Sequence, residues 1–410
     1  MVKSDIFNIT DKLRFDEEIK KYEEYEVTTS VNSNLNSGEI RIYVENSDNY
    51  FHPFNSYLEI EGRLVKADGS AYANTDAITL TPNGLMHLFD RIDYKFSDSL
   101  VESASYPDTT ATADLVNNAG FSARQQYIIQ KPTTKGSFEL SIPFRHIFGF
   151  CDDYDKVFYG LKHELFLLRA SDDNAIFKAA GVAAGKVNIT RISLMMRRVT
   201  PSMVADLELT KIIKSQETLD IGFRSRYLDK MNVPQNTSFD WRIGVKTNEK
   251  PRYILVGFQT NRDGNQEQNS SIFDHCDLRN MWIQLNDQKY PETNYSLSFP
   301  NMKITRAYRH ASNFAEDYYN MTNLISLCGI TPSDYRDLYP IMYFNVSKQS
   351  EKMKDSTVDI RLKAEFNTPV PAEKYNGKVK NGVLIELIRV GSEGIKLECP
   401  EIIQDEKEDL

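Results

Sequence analysis

Apolar and polar residues alternate with period two in several separate stretches of the chain. Ile40, Ile42 and Val44 alternate with Arg41, Tyr43 and Glu45. Leu58, Ile60 and Leu64 alternate with Glu59, Glu61 and Arg63. Far downstream, Val358, Ile360, Leu362, Ala364 and Phe366 alternate with Asp359, Arg361, Lys363 and Glu365. This period predicts strands with one buried and one wet face, as in the antiparallel sheets of sandwiches. Tyr253 to Phe258 and Val383 to Ile388 are apolar on both faces and predict interior or interface strands. Strands do not alternate regularly with helices, which disfavours a doubly wound parallel sheet.

A few helices interrupt the strands. Thr81-Pro82 and Thr331-Pro332 each place a capping residue before a proline at the first helical position, and Asp334 follows the second cap by three. The strongest helical stripe is Ala307, Ala311, Phe314, Tyr318, Met321, Ile325 and Cys328, closed by Gly329. It predicts a helix over 306–328 packed on the nearest sheet. The charged stretch Asp16 to Glu26 is compatible with a short helix. Residues 143–162, punctuated and aromatic, predict an inserted loop with a helical turn.

The composition breaks at Val199-Thr200-Pro201-Ser202, near the middle of the chain. The division expected is an N-terminal arm over 1–24, a β-rich half over 25–200, a second over 201–395 and an acidic tail over 396–410. No strict sequence repeat relates the halves.

A net charge of −9 over 410 residues, with no long basic run, argues against a chain whose task is to grip phosphate backbones. The cysteines Cys151, Cys276, Cys328 and Cys399 are scattered, which argues against a disulfide framework or a zinc ribbon. The first 18 residues lack the apolar stretch of a signal peptide, and no apolar run is long enough for a membrane span. N-x-S/T sequons, among them Asn188, Asn269 and Asn345, are expected as chance in an Asn-rich chain.

The search for catalytic and ligand motifs leaves no site. Gly181 to Val187 (GVAAGKV) has the wrong glycine spacing for a phosphate loop and no hydroxyl residue after Lys186. His163-Glu164 opens a zinc-protease pattern that fails at Leu167, where the second histidine would stand. Asp152, Asp153 and Asp155 lack the spacing, glycine and final glutamate of a calcium loop, and read as a solvated acidic loop. His275 and Cys276, with His310 and Cys328 further on, are weighed as metal ligands; adjacent residues of a strand point to opposite faces, which argues against the pair. No catalytic, metal or cofactor-binding residue is assigned, no cofactor is expected, and the chain is read as non-enzymatic.

Two long stretches carry a family resemblance. Residues 250–299 (KPRYILVGFQTNRDGNQEQNSSIFDHCDLRNMWIQLNDQKYPETNYSLSF) and 330–372 (ITPSDYRDLYPIMYFNVSKQSEKMKDSTVDIRLKAEFNTPVPA) resemble double jelly-roll-like proteins of invertebrate genomes. Residues 141–169 (SIPFRHIFGFCDDYDKVFYGLKHELFLLR) echo the same family more weakly. The likeness runs from about residue 30 to 395, and the family is similar to the capsid proteins of Polinton or Maverick elements, adintoviruses and virophages.

The resemblance implies a mainly β fold of two tandem jelly-roll sandwiches with a few inserted helices. It also implies a structural capsid subunit: homotrimers as pseudo-hexagonal capsomers, tiling an icosahedral shell around double-stranded DNA. The partners implied are neighbouring capsomers and minor capsid or penton proteins, without strong direct nucleic-acid binding. The location implied is a virion or virus-like particle, after synthesis in host cytoplasm without secretion. Loops such as 98–135 and 259–277 are then expected on the outer surface, and the terminal arm and tail as ties between neighbours. A jelly-roll binding module for glycans or receptors, and a host protein domesticated from a capsid, remain the alternatives.

Overall fold

The computed structural model describes residues 19–29, 34–44, 49–94, 118–215, 218–244, 250–319, 330–349, 358–371, 374–375, 378–379 and 381–396. The first half contains β1 (Ile19–Thr28), β2 (Glu39–Val44), β3 (Tyr50–Phe51), β4 (Tyr57–Lys66), β5 (Ile78–Leu80) and β6 (Phe89–Tyr94). These are followed by α1 (Ala119–Ile128), β7 (Ser137–Pro143), α2 (Phe144–Ile147), α3 (Gly149–Asp153), β8 (Phe158–Tyr159), β9 (His163–Arg169), β10 (Ile176–Lys178) and β11 (Gly185–Pro201). Helix α4 (Met203–Ser215) leads to the second half: β12 (Thr218–Asn232), β13 (Ser238–Arg242), β14 (Pro251–Thr260), β15 (Leu278–Leu285) and β16 (Gln288–Tyr290). After them come α5 (Thr305–Tyr319), α6 (Pro332–Asp337), β17 (Met342–Asn345), β18 (Ile360–Phe366), β19 (Lys374–Tyr375), β20 (Lys378–Val379) and β21 (Asn381–Lys396).

The pairing is nested in the same way in both halves. In the second, the sheet order is β12-β21-β14-β17, facing β13-β18-β15-β16. In the first, β1, β11, β4 and β7 lie in that lateral order, facing β2-β9-β6, and β3 and β8 extend the larger sheet. Each half thus pairs its first strand with its last, antiparallel, and β2 with β9 as β13 with β18. That nesting of two facing antiparallel layers is the jelly roll, and it occurs twice in the chain, with four strands in each layer of the second half and three in the smaller layer of the first.

The alternation read from the sequence places the cores. Strand β2 is buried at every second residue, and β9 and β18 bury one face likewise. Ile40, Leu58, Ile60, Leu167 and Leu194 belong to the core of the first sandwich. Ile254, Met281, Ile283, Leu362 and Ile385 belong to that of the second. Strand β14 is apolar on both faces because both are covered. Ile254, Val256 and Phe258 enter the sandwich, while Tyr253 and Leu255 meet Phe314 and Tyr318 of α5. Gly257 lies under Phe273, where an added Cβ would stand 2.5 Å from the ring.

Several sequence expectations need correction. From Ile19 the charged N-terminal stretch is strand, not helix or free arm. Glu23 pairs with Arg198 and Glu26 with Arg191 of the facing strand, so the charges follow a sheet register. The rest of that arm lies outside the described residues. Thr81-Pro82 starts no α-helix: Asn83 has φ 57°, which turns the chain, and only one 3-10 turn at Met86–Leu88 follows. Thr331-Pro332 does start α6, and Thr331 and Asp334 form the reciprocal capping box. Of the helix expected over 306–328, α5 accounts for the residues to Tyr319, and 320–329 lie outside the described residues.

Candidate functional site

The residues singled out as candidate chemistry occupy structural positions. Gly181 makes a turn at φ 83° and Gly185 starts β11, while Lys186 Nζ donates to the Ala67 carbonyl at 3.0 Å. His163 is buried at the start of β9, its Nδ1 2.6 Å from Tyr94 Oη, and burial holds its pKa down at about 4. His275 stacks on Phe299 at 4.9 Å and accepts from the Asp277 amide through Nδ1. Cys276 and Asp277 adopt φ 48°, so His275 and Cys276 sit in a tight turn and not on a strand. His310 Nδ1 lies 2.8 Å from Tyr295 Oη, in a cleft of about 290 Å³ that also includes Asp317. Cys328 lies outside the described residues. Among the described residues no three His, Cys, Asp or Glu side chains converge as metal ligands.

The acidic loop is solvated only in part: Asp155 stays largely exposed, while Asp152 and Asp153 face Arg224. Arg224 of β12 reaches across to α3, donating its backbone amide to Asp153 Oδ2 at 2.7 Å and its Nε to Asp153 Oδ1 at 2.8 Å. Another guanidinium nitrogen donates to the Tyr318 carbonyl at 2.6 Å, and the guanidinium lies 3.8 Å over the Tyr318 ring. Asp152 stands 3.4 Å from Arg224, and burial pushes its carboxyl above the usual range despite that cation. Asp155 instead meets His52 at 2.6 Å. Beside this knot Phe223 crosses Phe150 edge-on at 5.4 Å and belongs to the core of the first sandwich. The backbones approach so closely that a Cβ on Gly149 would lie 2.1 Å from the Arg224 carbonyl oxygen.

A second joint comes from a segment expected on the outer surface. Residues 261–272 leave β14 and pack against the first sandwich. Gln266 donates Nε2 to Asp173 Oδ1 and to the Gly185 carbonyl, each at 2.9 Å. Its Oε1 accepts from the Gly185 amide at 2.9 Å, and its own carbonyl accepts from the Lys178 amide at 2.8 Å. Asn174 binds Asp263 and the Gly264 amide, and Lys178 Nζ lies 2.7 Å from Glu267. Buried Arg262 holds the segment's shape by a two-pronged bond to Asp274. Asn269 of the sequon is fully buried, so it cannot carry a glycan. Its polar residues engage both backbone and side-chain groups of the first sandwich.

Neither Arg224 nor Gln266 was found from sequence. Each acts on partners more than 70 residues away, and no local spacing encodes such a pairing. Together they make the joint between the sandwiches the best-built polar arrangement described. Its chemistry is positional: ions and amides held by fixed partners, with the Cys151 thiol buried nearby and its pKa pushed up by that burial.

With this geometry in view, the molecule is a tandem pair of jelly rolls. A model of the double jelly roll-like domain matches residues 78–377, well over half of the chain, and the chain belongs to that family. No curated protein matches it. Solved structures match it almost end to end. A chain of the Sputnik virophage, solved by cryo-EM, aligns at TM-score 0.55 and 10% identity over 97% of this chain and 91% of its own. The mavirus major capsid protein aligns at TM-score 0.53 and 11% identity over 96% and 93%. PBCV-1 VP54, fitted into a reconstruction of the virophage Sputnik, aligns at TM-score 0.53 and 10% identity over 93% and 96%. At such identities the likeness is one of fold.

Two expectations follow. Gln266→Ala strands the Gly185 amide and carbonyl between the sandwiches and should cost about 2–3 kcal/mol in denaturant unfolding. His163 is harder to protonate folded than unfolded, so its contribution is full above its unfolded pKa of 6.5 and is lost as pH falls toward 4. The stability difference between wild type and His163→Gln should therefore shift against wild type by about 2 kcal/mol from pH 7 to 4.5, read by urea unfolding at both values.

Proposed function

We propose that the chain is a structural capsid subunit and not an enzyme. The observation that carries this reading is end-to-end coverage. The alignment with the mavirus major capsid protein covers 96% of this chain and 93% of that one. On this reading the first sandwich runs from β1 at Ile19, not from residue 25, through β11, and the second from β12 through β21. Three copies associate as a pseudo-hexagonal capsomer, and capsomers tile an icosahedral shell around double-stranded DNA. The direct partners are other copies and minor capsid or penton proteins. The location is a virion or virus-like particle, after synthesis in the host cytoplasm without secretion.

The physics of the subunit supports the reading. A tile must keep its shape under lateral contact, and here both sandwiches have full cores and are joined by hydrogen-bonded, buried contacts. Trimer contacts would add apolar burial on the scale of obligate oligomers, roughly 2,000 Å² or more. The net charge of −9 suits a shell that encloses nucleic acid without gripping it.

Light scattering with negative-stain imaging of the same purified sample tests the proposal. Trimers with a pseudo-hexagonal outline, or closed shells, are expected. A monomer across a range of salt and protein concentration would contradict it and favour a binding module or a domesticated relic.

A further inference from the structure

Helix α5 brings a polar stripe to a cleft at the edge of the second sandwich. His310, Asn313 and Asp317 stand three and four residues apart, on one face of the helix, and all three line the cleft. The cleft lies where both sheets of that sandwich end, and its lining includes Tyr290 of β16 and Phe344 and Asn345 of β17. Its volume of about 290 Å³ is at the lower limit of ligand pockets, about 300–1,000 Å³, and suits one small ring. Two buried phenols fix the ends of the stripe. Tyr295 Oη is 2.8 Å from His310 Nδ1, and Tyr343 Oη donates to Asp317 Oδ2 at 2.8 Å. Tyr295 belongs to the core of the sandwich, and Tyr343 packs with Tyr253 and Tyr318, so both phenols are held in place.

The groups left for a ligand are mixed in kind. Among the described residues no hydrogen bond occupies His310 Nε2, the Asn313 amide or Asp317 Oδ1. Asn345 Oδ1 accepts from Ser347, and its Nδ2 remains as a donor. The amide nitrogens donate, the carboxylate accepts, and the imidazole does either. Burial, with Arg306 and Arg309 nearby, holds the His310 pKa below its ordinary 6.5. The imidazole is then neutral at pH 7, and Asp317 is the one acidic residue of the described lining. Tyr290 and Pro291, both half-buried, add an apolar wall.

We propose that this cleft binds a neutral sugar ring. Sugar hydroxyls both donate and accept, which matches Asn313, Asn345 and Asp317, and the C–H face of the ring fits the wall of Tyr290 and Pro291. A simple ammonium ion would use the carboxylate and leave the amides idle. An acidic sugar would meet Asp317 with like charge. Side chains already positioned by Tyr295 and Tyr343 lower the ordering cost of binding. The proposal stands apart from the shell reading, since the cleft lies within one sandwich of one chain.

Saturation-transfer NMR on the full chain tests it, with the methyl glycosides of glucose, galactose, mannose and N-acetylglucosamine as probes. Transfer to at least one of them is expected at millimolar concentration, with a severalfold loss in Asn313→Ala and in Asp317→Asn. Asn313 is exposed, so its variant keeps the test decisive if Asp317→Asn does not fold. No transfer to any of the four glycosides would overturn the proposal, as would equal transfer in wild type and Asn313→Ala. Stronger transfer to tetramethylammonium than to every glycoside would also overturn it and assign the cleft to organic cations. Light scattering of the same sample reads assembly separately, so a failure here is distinct from a failure of the shell reading.

Discussion

One guanidinium ties the two halves of the molecule together. Arg224 leaves the first strand of the second sandwich, grips Asp153 of the first, and lies flat on Tyr318 at the end of α5. Taking this cation out of water is costly unless its donors find partners, and here a carboxylate, a carbonyl and an aromatic face receive it. The contact needs α3 within backbone distance of β12, and Gly149 allows that approach by lacking a side chain. Such an arrangement favours one relative placement of the sandwiches, because the carboxylate, carbonyl and ring contacts of Arg224 are lost together if they separate. The bonds of Gln266 to Gly185 and Lys178 secure the same interface at a second point.

What was legible in the sequence was whatever depends on near neighbours. Alternation at Ile40 to Val44 and at Val358 to Phe366 gave strands, since a strand's inside and outside differ by one residue. The capping box at Thr331 and Asp334 is equally local, and α6 follows it. The two-faced apolar run at Tyr253 to Phe258 marked an interior strand, now seen between the sandwich core and α5. What failed depends on distant partners. The acidic N-terminal stretch reads as helix until Arg191 and Arg198 are placed opposite it. Residues 261–272 read as surface because the groups that hold Gln266, on Asp173 and Gly185, are not visible along the chain. The positive φ of Asn83 defeats a helix start that its local residues otherwise favour.

The nested topology sets the character of the fold. Each sandwich closes by pairing its first strand with its last, so β1 waits for β11 and β12 for β21. Contacts so far apart in sequence carry a loop-closure cost and slow folding. Once made, they bury two continuous apolar layers and leave the charged faces of β1 and β11 paired in register. A subunit built this way is rigid within each sandwich, and the joint extends that rigidity across both. That rigidity is the mechanical property the proposed shell role would require.

The central claim is that the two sandwiches behave as one block. Both tryptophans, Trp241 on β13 and Trp282 on β15, lie in the second sandwich, so their fluorescence reports that half alone. Far-UV circular dichroism reports both. Equilibrium unfolding of the wild-type chain, followed by both signals in one titration, is the direct measurement. Coincident transitions are predicted, with separation appearing in Arg224→Ala. Separate transitions in the wild-type chain itself would contradict the account, because the joint would then not couple the halves.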